Sequence, residues 1–124
     1  MAKGKQKAQA RIDAVNLLGK DLARRAGRAC ELCESREDCR PYDFAPDDAP
    51  SLDSLLLACG RCRDRLDRPG QTPPDHLRDV ANHCWTDLAP LRQAVLTLLE
   101  PIAEDWAREA VEQAQMMAGM GGDE

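Results

Sequence analysis

The sequence has no apolar stretch long enough to cross a bilayer. Its longest, Leu55-Leu56-Leu57-Ala58-Cys59, falls far short of the roughly 20 residues a membrane helix requires, so no membrane association is expected. No apolar leader core follows the basic start Met1-Ala2-Lys3-Gly4-Lys5-Gln6-Lys7, and the expected compartment is therefore the cytoplasm. Histidine is scarce: His76 and His83 are the only two, and neither stands in a carboxylate pattern suited to general acid-base catalysis. Internal repeats are absent. So is a βαβ pattern, which removes the usual setting of a redox Cys-x-x-Cys pair. The length of 124 residues suits a single domain with one core.

What the chain does have is six cysteines, four of them in two close pairs. Cys30-Glu31-Leu32-Cys33 and Cys59-Gly60-Arg61-Cys62 are knuckles in which both thiolates of a pair can face one ion. Together they supply the four sulfurs of a closed tetrahedral site. In a reducing compartment such pairs point to metal rather than to disulfides. The expected ligands are Cys30, Cys33, Cys59 and Cys62, and the expected cofactor is one structural zinc per chain. Iron suits the same donor set chemically. Four protein ligands leave no position for an activated water, which argues against zinc catalysis. Cys84 falls on an apolar helical face and reads as a small buried hydrophobe. Cys39 reads as a spectator in the loop.

Around the knuckles, the apolar spacing of Ile12, Val15, Leu18, Leu22 and Ala26 predicts one amphipathic helix over residues 9–26, weakened at Gly19 and stopped at Gly27. Short strands are expected at 40–44 and 55–58, separated by a turn-rich acidic loop, and one or two helical turns at 61–68. Asp75 is placed to cap a helix carrying Leu77, Val80, Ala81 and Cys84, with Trp85 at its end, and Thr86 to cap the next. That helix, with Leu88, Leu91, Val95, Leu98 and Leu99, runs to Pro101. The proline suits the first turn of a last helix bearing a buried Trp106. The whole is an α+β domain in which a small zinc-knuckle region with a short β-hairpin, of treble-clef type, packs against several helices. Its parts are a basic helix over 1–27, the knuckle region over 28–70, a helical region over 75–118 and a disordered tail over 119–124.

The net charge of −5 hides an asymmetry. Residues 1–28 carry eight basic side chains against Asp13 and Asp21, a net +6, which leaves −11 on the remainder. A basic face is the ordinary state of an exposed helix. The alternative is a nucleic-acid contact using Lys3, Lys5, Lys7, Arg11, Arg24, Arg25 and Arg28.

The first knuckle, the run Leu55-Leu56-Leu57-Ala58-Cys59-Gly60-Arg61-Cys62, the segment His76-Leu77-Arg78 with Trp85 nine residues after His76, and Trp106-Ala107 together resemble the N-terminal domain of the PhnA family, named for alkylphosphonate-utilisation operons. The resemblance covers roughly residues 28–114, and it implies that the four knuckle cysteines are metal ligands. The same stretch is similar to an HNH nuclease, in which two knuckles flank a ββα-metal motif. Where that motif carries its histidine pair, this chain has Pro41-Tyr42-Asp43-Phe44-Ala45-Pro46, and Arg63 stands in place of the terminal histidine. Without an imidazole to activate water or hold a catalytic cation, nuclease chemistry is not expected. The function expected is a non-enzymatic zinc-binding module with a protein-binding or adaptor role. Nucleic-acid binding and a residual metal-dependent nuclease are the alternatives.

Overall fold

The computed structural model describes residues 2–122, with side chains from residue 9 to residue 119. Its elements are α1 (Ala2–Leu17), α2 (Gly19–Ala26), β1 (Arg40–Asp43), β2 (Leu55–Ala58), α3 (Gly60–Asp67), a 3₁₀ helix (Pro74–His83), α4 (Ala89–Leu99) and α5 (Asp105–Gly122). This is the expected α+β arrangement of a two-stranded hairpin among helices. No helix among the described residues is long and apolar enough to cross a membrane.

β1 and β2 pair antiparallel, with Arg40 opposite Ala58 and Asp43 opposite Leu55. Successive side chains of a strand point to opposite faces, so the unbroken apolar run of β2 is buried on both sides. Leu55 and Leu57 join Leu22 of α2, while Leu56 and Ala58 join the larger core with the knuckle cysteines and the later helices. In that larger core α4 buries Pro90, Leu91, Ala94, Val95, Leu98 and Leu99. The alanines at 107, 110 and 114 of α5 let the two helices approach closely.

The helix expected over 9–26 is in fact two. It breaks at Leu18, and α2 starts afresh at Gly19. The apolar stripe is continuous in sequence but serves different ends. Leu22 is fully buried on the hairpin, whereas Ile12 is 52% exposed. Glycine, which weakens a helix interior by about 1 kcal/mol relative to alanine, stands at that junction.

The segment after the proline loop also differs from expectation. It is a 3₁₀ helix preceded by Pro73, and Asp75 makes no capping bond. With three residues per turn, positions three apart eclipse. Leu77, Val80 and His83 therefore form one ridge, whose first two members are buried. The Thr86 hydroxyl accepts a hydrogen bond from Leu88 N at 3.1 Å, and the cap of α4 is Leu88 itself. Pro101, which has no N–H to extend α4, lies in the connection rather than in the first turn of α5, which begins at Asp105.

Trp106 is half-buried rather than enclosed. Its ring lies under the Arg78 guanidinium at 4.8 Å and its Nε1 donates to Glu104 at 3.1 Å. Trp85 is 67% exposed. The tail expected over 119–124 is a correction for residues 119–122, which continue α5. Extending an existing helix adds one hydrogen bond per residue without a new nucleus. Residues 123 and 124 lie outside the described part.

Tyr42 closes the hairpin onto α3 by donating its hydroxyl to Asp67 Oδ1 at 2.9 Å. Burial and this carboxylate push the phenol up to about 12. The folded value lies above the unfolded one of about 10, so the contribution to stability is complete below pH ~10 and is lost as pH rises through about 12. Because Tyr42 is the sole tyrosine, a phenolate absorbance titration reads it alone. The expected midpoint is near 12, and a midpoint near 10 would show that Tyr42 is neither buried nor bonded to Asp67 in solution.

Candidate metal centre

The two knuckles are built differently. In the first, Glu31 exchanges two bonds with β2: its N–H donates to Leu57 O at 2.8 Å and its Oε1 accepts from Leu57 N at 2.8 Å. The turn closes through Glu34 N donating to Cys30 O at 2.8 Å and Cys30 N to Ser35 O at 2.7 Å, with Glu34 at a left-handed φ of 68°. In the second, Cys59 follows β2 directly and caps α3, and Cys62 lies in the first turn of that helix. The positive end of a helix favours thiolate over thiol.

These constraints bring Cys30, Cys33, Cys59 and Cys62 together, with all four sulfurs within 4.8 Å of one another. Cys33 Sγ and Cys59 Sγ are 3.6 Å apart. A tetrahedron with metal–sulfur bonds of about 2.3 Å has sulfurs about 3.8 Å apart, so the four sulfurs lie close enough together to hold a single ion. Cys30, Cys59 and Cys62 are buried, and Cys33 is exposed. The Cys62 thiol donates to Cys30, which holds Cys30 far below the usual thiol range and pushes Cys62 up, while burial pushes Cys59 up. Close-set thiols, three of them buried, cannot all ionise by themselves. A divalent cation supplies the charge that allows it and displaces the protons.

Several residues that the sequence did not assign to the metal site hold this cluster in place. Glu31, whose side chain is only 6% exposed, is paired bidentately with Arg25, at 2.9 and 3.0 Å. Arg25 also donates to Leu52 O and Leu55 O, each at 2.7 Å, which locks α2 to both the knuckle and the hairpin. Arg63 donates to Ala58 O at 2.7 Å and to Asp38 Oδ2 at 2.8 Å. Its place is thus a tie between the second knuckle and the loop before β1, and it holds the Asp38 carboxyl below its ordinary range. That carboxylate lies over the start of α3, where a Cβ on Gly60 would meet Asp38 Oδ2 at 3.1 Å. His83 Nε2 faces Leu32 O at 2.9 Å and, since a carbonyl only accepts, is the donor. No local pattern marks Glu31 or His83, because their partners lie in other elements.

Cys39 stays outside the cluster and donates to Ser35 O at 3.1 Å. Cys84 is buried in the larger core, as expected for a small hydrophobe. The basic residues separate. Arg11 donates to Asp43 Oδ2 at 2.6 Å, to Ala45 O at 2.8 Å and to Asp48 O, so Arg11 and Arg25, expected at a nucleic-acid contact, are engaged inside the fold. Their guanidinium donors answer carboxylates and loop carbonyls instead. Arg24 and Arg28 face solvent. Lys3, Lys5 and Lys7 lie in α1, and their side chains are outside the described part. Comparisons with family models, with curated proteins and with solved structures find no match to this chain.

Proposed function

We propose that this chain is a zinc-ordered binding module of the PhnA-like type, with a treble-clef-like knuckle region and no hydrolytic chemistry of its own. The observation that carries the reading is the closure of the cysteine cluster, with four sulfurs mutually within 4.8 Å. Thiolates favour zinc over magnesium or calcium, and four of them fill its preferred tetrahedron. Such a site contributes folding free energy. Here it joins the turn before β1 to the start of α3, and through Arg25 and Glu31 it also sets the position of α2. The module then offers its outer helix faces to a partner. Asp43, the acidic residue nearest a nuclease-like position, is engaged by Arg11, which supports a structural role for that loop.

Elemental analysis of the purified protein is expected to find about one zinc per chain. Plasmid and RNA incubated with it in magnesium or manganese are expected to stay intact. Iron in place of zinc, or no metal, would overturn the first part. Cleavage abolished by Asp43→Asn would overturn the second and restore the nuclease alternative.

A further inference from the structure

We infer that the outward face of α2, formed by Lys20, Arg24 and Arg28, is a contact surface for the phosphate backbone of a DNA duplex. The inference concerns a surface apart from the thiolate cluster and adds a partner to the reading above.

Among the basic residues of the N-terminal segment whose side chains are described, the fold makes a division. Arg11 and Arg25 point inward and are satisfied by carboxylates and carbonyls. Lys20, Arg24 and Arg28 are exposed and line one open depression of about 610 Å³ with Gly19 and Ala23. Lys20 and Arg28 enter no ion pair among the described residues, and Arg24 meets only Asp21, at 3.5 Å with both side chains more than half exposed. An exposed pair of this kind contributes little and exchanges readily for another anion. Lys20 and Arg24 are one helical turn apart, a step of about 6 Å along the axis. Arg28 follows the left-handed cap at Gly27, where its N–H bonds back to Ala23 O at 2.9 Å, and the row of charge extends past the helix end.

The lining decides the class of partner. It contains no aromatic or large apolar side chain, whereas protein interfaces centre on such anchors and single-strand binding draws on stacking platforms. Contact with a duplex backbone draws chiefly on exposed cations and needs no aromatic or apolar anchor. Arg25 ties α2 to the first knuckle and to the hairpin instead of joining this row, so the row is presented on a rigid support.

Fluorescence anisotropy with a labelled DNA duplex, read across a salt series, tests this. Three phosphate contacts give log K falling against log salt with a slope of about −2.7, at roughly 0.9 per contact. Each of Lys20→Gln, Arg24→Gln and Arg28→Gln is expected to reduce the slope by about 0.9, and the triple variant to lose salt-dependent binding. Arg36→Gln, on an exposed residue outside this row, is expected to leave the slope unchanged. Circular dichroism melting and zinc content are expected to be unaltered in all five variants, which separates this result from the zinc reading. Failure to bind the duplex at low salt would overturn the proposal, as would a slope insensitive to the three substitutions. Self-association of the chain abolished by the triple variant would also overturn it, since the partner of α2 would then be the acidic body of a second copy.

Discussion

Exchange of Cys59 for serine is expected to leave the chain without bound metal and without a cooperative unfolding transition. Cys59 follows β2 directly and caps α3, and it is 3% exposed, so water has no easy route to replace its sulfur. Structural zinc contributes roughly 10–16 kcal/mol in small finger peptides, comparable with or larger than the whole stability of a typical domain, about 5–15 kcal/mol. Cys33→Ser is expected to be milder, with weakened zinc affinity, because its position is exposed and water can complete the tetrahedron there. Cys84→Ser is the control. It places a hydroxyl in the core, costing about 1–3 kcal/mol, and is expected to retain full zinc. Metal analysis after gel filtration, with circular dichroism melting, distinguishes the three. A Cys59→Ser protein with one zinc and a native melting temperature would show that the ligands lie elsewhere.

Removal of the Arg25 guanidinium has the next largest expected effect. Arg25→Ala strands the Glu31 carboxylate, 6% exposed, with Leu57 N as its remaining donor, and it frees two carbonyls that anchor α2. Breaking a buried pair from one side typically costs 3–5 kcal/mol. About 3 kcal/mol is expected here, since the Arg25 side chain keeps 21% of its exposure. Adding Glu31→Gln should recover part of the loss by removing the stranded charge. Arg24→Ala, one position away, breaks only the exposed pair with Asp21 and is expected to cost less than about 0.5 kcal/mol. Urea titration of zinc-saturated protein measures all of these. Equal small losses for Arg25 and Arg24 would mean that the Arg25–Glu31 pair is not formed in solution.

The cysteine cluster and the second strand were legible in the residues alone because their signals are local. Two Cys-x-x-Cys pairs announce themselves by spacing, and the structure brings the same four sulfurs together. The apolar run at 55–58 coincides with β2, since a strand covered on both faces must be apolar at every position. The break at Leu18 was hidden because the helical period continues across it. The tight winding after Pro73 was likewise hidden, because positions three apart suit an α-helical face as well as a 3₁₀ ridge. Charge was the least legible feature. Arg11, Arg24, Arg25 and Arg28 look alike in a basic segment, yet Arg11 finds a carboxylate 32 residues away and Arg25 a carbonyl 30 residues away, while Arg24 and Arg28 remain outside. A guanidinium is as well satisfied by its own fold as by a partner's phosphate. Which of the two it meets depends on where the chain returns in space, and only the tertiary structure decides that.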